Sequence, residues 1–269
     1  MFKKVIWLTG MPRSGTTWIS QIFASNPDVR VKFCPLFSYA FKNALNENST
    51  AEEWKNFFMS VDTTKDDYMD QKHLISKGLI PDFTKKNNPQ ILLIKSNRFH
   101  NLTESILNKY SNVIFISIVR DPCATIHSWL SNPLEFPSDQ DPLKQWRHGL
   151  CRKNGPGEYW GFNDWKKVTL LHLRLAKEWP ERFFIHRYED FLNDPQKHSR
   201  ELLNRLGIEM AQATIDFIIS SQNRHNPHRR SVFKDPSSLA NWKNAINPMI
   251  LKEILNDLKD TELSGFLDD

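Results

Sequence analysis

The segment Gly10-Met11-Pro12-Arg13-Ser14-Gly15-Thr16-Thr17-Trp18 gathers two glycines, several hydroxyls and a cation in a short stretch. Gly10 and Gly15 permit tight turns, and successive backbone N–H groups at a helix start can wrap an anion. Ser14, Thr16 and Thr17 add hydroxyl donors beside the fixed charge of Arg13. The Gly-x4-Gly spacing matches the start of a Walker A loop, but Thr16 stands where that motif requires Lys. A cradle for phosphate or sulfate is therefore the chemistry expected, and the reading as a kinase or nucleotide triphosphatase is weakened. The bland alternative is a Ser/Thr-capped helix after a strand.

A second cluster is Arg120-Asp121-Pro122, followed by Ala124-Thr125-Ile126-His127-Ser128. Asp121 suits a helix N-cap and Pro122 the first turn, which leaves Arg120 at a strand end and Ser128 about two turns into a helix. Arg120 and Ser128 can converge on a second anion, although Arg-Asp-Pro alone is common turn chemistry.

Alternating strands and helices must position these clusters. Val5–Leu8, Ile91–Ile94, Val113–Val119 and Phe183–Ile185 are short, continuous apolar runs, as strands of a parallel sheet covered on both faces would be. Helical patterns cover Thr16–Ala24, Thr103–Lys109, Ala124–Leu130, Lys166–Glu178 and Pro195–Leu206. The expectation is a single α/β domain over residues 1–269, a three-layer P-loop-like fold with a central parallel sheet flanked by helices. Its ligand crevice belongs at the carboxyl ends of the strands. Two stretches break the rhythm: residues 30–88, rich in aromatics without strand signals, and residues 132–165, rich in Pro, Trp and basic side chains. Both read as insertions that form an acceptor site, with ordinary core packing as the alternative for their aromatics.

Composition narrows the classes. At 269 residues, with 39% hydrophobic and 25% charged residues, the chain fits ordinary globular usage and neither disorder nor coiled coil. The formal charge of +5 favours anionic ligands, but no nucleic-acid recognition motif accompanies it, so no nucleic-acid partner is expected. Three cysteines without CxxC spacing suggest neither a disulfide framework nor a cysteine zinc site and point to a reducing compartment. His225-x-x-His228 lacks a third ligand, so no metal is expected. No apolar run reaches the ~20 residues of a membrane span. The expectation is a cytoplasmic, bacterial protein whose Met1 leads straight into the first strand.

Together the two clusters resemble the 5′-phosphosulfate loop and the 3′-phosphate motif of the PAPS-dependent sulfotransferase family, PAPS being 3′-phosphoadenosine 5′-phosphosulfate. Arg187-Tyr188-Glu189-Asp190-Phe191-Leu192 resembles the family's Tyr-Glu-Asp segment, and Trp242-Lys243-Asn244 the Trp-Lys-Asn of cytosolic members. The resemblance implies sulfonyl transfer from PAPS to a hydroxyl or amine of an acceptor, with release of the doubly phosphorylated adenosine PAP. It also implies residue roles. Arg13, Ser14, Gly15, Thr16 and Thr17 would hold the 5′-phosphosulfate, Trp18 and Tyr188 the adenine, and Arg120 and Ser128 the 3′-phosphate. The Arg-Lys-Gly that closes the 3′-phosphate in cytosolic members is missing; Arg229, Arg230, Ser231 and Lys234 are the nearby substitutes, of which Arg230 and Ser231 are chosen, with a solvated basic loop as the alternative.

The catalytic set implied is Arg13, Lys95 and His100. Cytosolic members carry Lys in the phosphate loop, whereas Arg13 resembles the carbohydrate and tyrosine sulfotransferases. Lys95 matches the Lys of the cytosolic Lys-Thr-His segment, but its His falls on Asn97, which cannot accept the proton. His100 is the nearest replacement for the base. The cytosolic dimerisation segment is not preserved, so a dimer of that kind is not expected and the oligomeric state is left open. The acceptor reads as a carbohydrate or hydroxylated metabolite, with Arg147, His148, Arg152 and Lys153 available to an anionic glycan. A P-loop kinase or triphosphatase, and an inactive PAP-binding homologue, are the competing readings.

Overall fold

The apolar runs become a five-stranded sheet in the computed structural model, which describes residues 2–235 and 241–268. The strands are β1 (Lys4–Thr9), β2 (Val29–Phe33), β3 (Ile91–Lys95), β4 (Val113–Val119) and β5 (Phe183–Arg187). Their order is β2-β3-β1-β4-β5, and every neighbouring pair is parallel. In the centre, Val5 pairs with Leu92 on one side and Val113 on the other.

Alternation along β1 shows how the layers form. Ile6 and Leu8 face a core shared with Ile19, Ile22 and Phe23 of helix α1 (Thr16–Ala24). Val5 and Trp7 face the opposite core, with Trp54, Phe57 and Phe58 of α2 (Ala51–Thr63). Both faces are thus covered, which is why the central strands carry no polar alternation. The short α3 (Lys72–Ile75) borders the cavity described below, and α4 (Thr103–Lys109) leads from β3 into β4. Helix α5 (Pro122–Leu130) follows β4, capped by the Asp121 carboxylate, which accepts from Ala124 N at 2.8 Å. After the short α6 (Pro142–Gln145), α7 (Phe162–Glu178) leads into β5. Helices α8 (Tyr188–Asn193), α9 (Pro195–Arg205) and α10 (Gln212–Asn223) come after it.

The α/β architecture and the expected strands are present, with one correction. β2 lies inside the stretch read as free of strands. Its residues alternate because it is the edge strand: Val29 enters a core, while Arg30 pairs with Asp62 and buried Lys32 with Asp70 at 2.8 Å. Residues 30–88 then divide. Trp54, Phe57 and Phe58 are core, as the bland alternative held, whereas Phe33, Phe37 and Tyr68 line a cavity. Among the described residues no helix is long and apolar enough to cross a membrane.

Candidate active site

All five strands deliver the chain to one edge of the sheet, the edge of their carboxyl ends, and a cavity of about 850 Å³ opens there. β1 is followed by Gly10, whose φ of 152° and close approach to the Ile118 carbonyl exclude a side chain: an added Cβ would lie 2.4 Å from that oxygen. The loop then folds on itself. Ser14, fully buried, donates its hydroxyl to the Met11 carbonyl at 2.7 Å. Its side chain is therefore spent inside the loop, while Arg13, Gly15, Thr16, Thr17 and Trp18 line the cavity. Gly15 caps α1 without a side-chain hydrogen bond, so the first N–H groups of that helix are left for an external acceptor. Gly15 has a φ of 83°, and an added Cβ would meet the Tyr188 ring at 2.1 Å. Tyr188, buried at the start of α8, is seated directly on the loop.

Asn97 holds the loop from behind. Its Nδ2 donates to the carbonyls of Gly10 (3.1 Å) and Met11 (2.9 Å), and its Oδ1 accepts from the Thr16 hydroxyl at 3.2 Å. The residue at the position of the expected histidine is thus a clamp, and its side chain has little capacity left for anything else.

The second cluster meets the first. Arg13 Nε donates to Ser128 Oγ at 3.1 Å, and Arg120 donates to the Arg13 carbonyl at 3.1 Å. Arg120 is buried, lies 5.1 Å from the Tyr188 ring centre, and its carbonyl accepts from Trp165 Nε1. Trp18 stands edge-on to Tyr188 at 6.3 Å and donates from its indole to Ser221 Oγ at 2.9 Å. Burial lowers the pKa of Arg13; Glu135 opposes that shift, and the charges of Arg120 and Arg229 add to it.

Lys95 ends β3 in the cavity wall with its Nζ 4.6 Å from the Phe33 ring centre. No described carboxylate forms an ion pair with it, and burial lowers its pKa to about 8.

One expectation is corrected by placement. His100 is buried under the floor rather than in the cavity, its ring packed against Tyr159 and His172 at 4.9 and 5.2 Å. Burial drives its pKa down to about 3, and its Nδ1 lies 3.4 Å from the Thr9 hydroxyl. It does not meet the cavity and is not placed to act as the base. The basic loop after α10 reaches the cavity, which Arg229, Arg230, Ser231 and Lys234 all line; Arg229 and Lys234 lie within the electrostatic reach of Arg13. Burial and then the charges of Arg229 and Arg120 lower the pKa of His127, the neighbour of Ser128. Arg230 acts instead on His73 and Tyr68, across the cavity. Ser231 accepts from Phe233 N at 3.1 Å and braces the loop, as does Lys234, which donates to the carbonyls of Asn226 and His228.

Of the four cations proposed for an anionic acceptor, two are held elsewhere. Arg147 pairs with Asp257 (2.7 Å) and Glu253 (3.2 Å), and Lys153 with Asp164 (2.8 Å). His148 contacts Asn163. Arg152 lines the cavity, packed over the Trp160 ring, with its buried Nε lacking a partner. Sequence reasoning named Arg229 but preferred Arg230 and Ser231, and it missed Glu135. Glu135, in the loop after α5, is the one carboxylate among the described residues lining the cavity. No group of His, Cys, Asp and Glu that could hold a metal occurs among the described residues.

The model of the Sulfotransferase family matches residues 6–212. Among solved structures, the chain is similar to mouse sulfotransferase SULT7A1 complexed with PAP, with 15% identity, a TM-score of 0.55, and coverage of 98% of this chain and 88% of that one. It is also similar to the sulfotransferase domain of the curacin biosynthetic pathway (18%, TM-score 0.54, 96% and 98%). Retinol dehydratase in a complex with retinol and PAP is a third (13%, TM-score 0.56, 98% and 83%). A search of curated protein sequences finds no match.

Proposed function

The chain belongs to the sulfotransferase family, and on that premise we propose that it moves the sulfonyl group of PAPS to a hydroxyl or amine of an acceptor, releasing PAP. The observation that carries this reading is the junction of two anion cradles. The loop after β1 and the Arg120–Ser128 motif after β4 are joined through Arg13, which bonds Ser128 and gives its carbonyl to Arg120. A donor with phosphates at both ends of one nucleoside needs two such cradles at a fixed separation. Fit is supported by Tyr188 on Gly15 with Trp18 beside it, an aromatic corner between the cradles where an adenine can pack.

In this reading the loop from Arg13 to Thr17 takes the 5′-phosphosulfate, with Ser14 contributing through the backbone. Arg120, Ser128 and Arg229 take the 3′-phosphate. Arg13 remains a cation at all working pH values and stabilises charge growing on the leaving phosphate. Lys95, buried and without an ion-pair contact to a described carboxylate, neutralises the sulfonyl oxygens.

The acceptor side is walled by Phe33, Phe37, Tyr68, Tyr159 and Trp160. Aromatic faces suit the C–H faces of sugars as well as flat metabolites, and Arg152 offers an unpaired cation to an anionic substituent. A carbohydrate or hydroxylated metabolite with an acidic group is the proposed class. The test is transfer of label from sulfur-35 PAPS to a panel of sugars, phenols and amines, with and without carboxyl or sulfate groups. Labelled acceptor and PAP in equal amounts are expected. Hydrolysis of ATP–Mg²⁺ with no use of PAPS would overturn the reading.

A further inference from the structure

We propose that Glu135 is the general base of the transfer, supplied by the loop after α5. The inference rests on the reading just given, because it assigns a step of that reaction. As the acceptor oxygen bonds to sulfur, the bond from sulfur to the 5′-phosphate oxygen breaks with its electron pair leaving on PAP. The acceptor proton moves to a Glu135 carboxylate oxygen, which later loses it to solvent. Sulfated acceptor, PAP and one proton balance PAPS and the neutral acceptor hydroxyl.

Placement carries the assignment. Glu135 Oε2 lies 3.6 Å from Arg13 Nη1, the cation of the phosphate loop. That separation is an ion pair but longer than a hydrogen bond. Oε2 itself is buried and has no hydrogen-bond partner, so the Arg13 contact holds the carboxylate at the reacting end of the loop while leaving its lone pairs unspent. The backbone beneath it is fixed. Asn132, buried, accepts from Glu135 N (2.9 Å) and Phe136 N (2.8 Å) through its carbonyl, and from Leu134 N through its side chain. Phe136 then anchors edge-on against Trp129 at 5.4 Å.

The other proton acceptors of the cavity are worse placed. Asn97 is committed to the loop carbonyls, and His100 is outside the cavity. His127 sits beside Ser128 under the charges of Arg229 and Arg120, at the 3′-phosphate cradle. His73 stands with Arg230, and burial raises the pKa of Tyr68, which keeps its phenol protonated. The charges that face Glu135 are Arg13 from the phosphate loop and Lys95 from the end of β3, with Arg98 and Arg152 on the same wall. Of these, Arg98 is already paired with Glu158.

The test uses the full chain as wild type, Glu135→Gln and Glu135→Asp. Calorimetry gives PAP affinity. PAP release from PAPS gives turnover, with the best acceptor of a sugar, phenol and amine panel or with water if none reacts. General-base removal predicts that Glu135→Gln loses about 10²–10⁴-fold in kcat while binding PAP within about threefold of wild type. Glu135→Asp, which keeps a carboxylate, is expected to recover part of the turnover that Glu135→Gln loses. A Glu135→Gln variant within about threefold of wild-type turnover overturns the base. So does a variant whose turnover and PAP affinity fall together, because Glu135 would then merely orient Arg13. Wild type that binds no PAP overturns the donor reading instead, which separates the two failures.

Discussion

At about pH 8.5 the binding of PAPS should draw protons from solution, and Lys95 should be the group that takes them. Burial lowers the pKa of Lys95 to about 8, with no described carboxylate in ion-pair contact and an aromatic ring as its neighbour. At that pH about a quarter of Lys95 carries its proton in the free protein. An anionic sulfonyl group placed against Nζ restores the charged form and pushes the pKa back towards that of an exposed lysine. Roughly three quarters of a proton should then be taken up per donor bound, and almost none at about pH 6.5, where the lysine is already charged. The assay is calorimetry of PAPS binding, without acceptor, in buffers of different ionisation enthalpy. Lys95→Met should abolish the uptake, and Lys95→Arg should abolish it while keeping the charge. Equal proton uptake by wild type and Lys95→Met would refute the placement of the sulfonyl group at Lys95. The same shift bears on stability: the unfolded chain holds this proton to higher pH than the folded one. The contribution of Lys95 to stability therefore falls as pH drops through about 8 and is fully present only above the ordinary lysine range.

Asn97→Ala removes two donations to the loop carbonyls and should weaken PAP binding by about 10- to 100-fold, read by calorimetry. Asn97→His, which restores the residue of cytosolic relatives, should not raise turnover, because the loop loses its clamp; a gain in kcat would contradict the clamp. Acid should destabilise the fold through its buried histidines. Burial holds His100 near pKa 3, His186 near 4 and His172 well below its ordinary value. As pH falls below about 6.5 the unfolded chain binds these protons first, costing about 1.4 kcal/mol per pH unit for each such histidine. Urea titrations between about pH 7 and 5 should show that slope, and a flat profile would contradict the burial.

Much of the fold was legible because its central strands are covered on both faces, so Ile91–Ile94 and Val113–Val119 announce themselves as apolar runs. β2 was not, because an edge strand with Arg30 and Lys32 salt-bridged on its flank resembles a polar loop. The meeting of the loop from Gly10 to Trp18 with the Arg120–Ser128 pair was legible, because glycines, hydroxyls and fixed charge directly after a strand mark a loop at the sheet's carboxyl edge. Glu135 and Arg229 were not, because nothing in Asn132-Pro133-Leu134-Glu135-Phe136 or in His228-Arg229-Arg230 marks which side chain turns inwards. His100 misled for the same reason. Three residues beyond Asn97, the chain enters the turn His100–Leu102 that begins at Phe99, with its φ of 60°, and the ring is carried under the sheet edge.

Calorimetric binding of PAP against adenosine 5′-phosphate, by wild type and by Arg120→Ala, tests most directly whether two phosphate cradles serve one donor. Wild type should prefer PAP if Arg120, Ser128 and Arg229 hold the 3′-phosphate as proposed. Charge-assisted hydrogen bonds of about 1.5–3 kcal/mol put that preference at roughly 10- to 100-fold, and Arg120→Ala should erase most of it. Equal affinity for the two nucleotides, or a preference unchanged by Arg120→Ala, would contradict the assignment of two phosphate cradles to one donor.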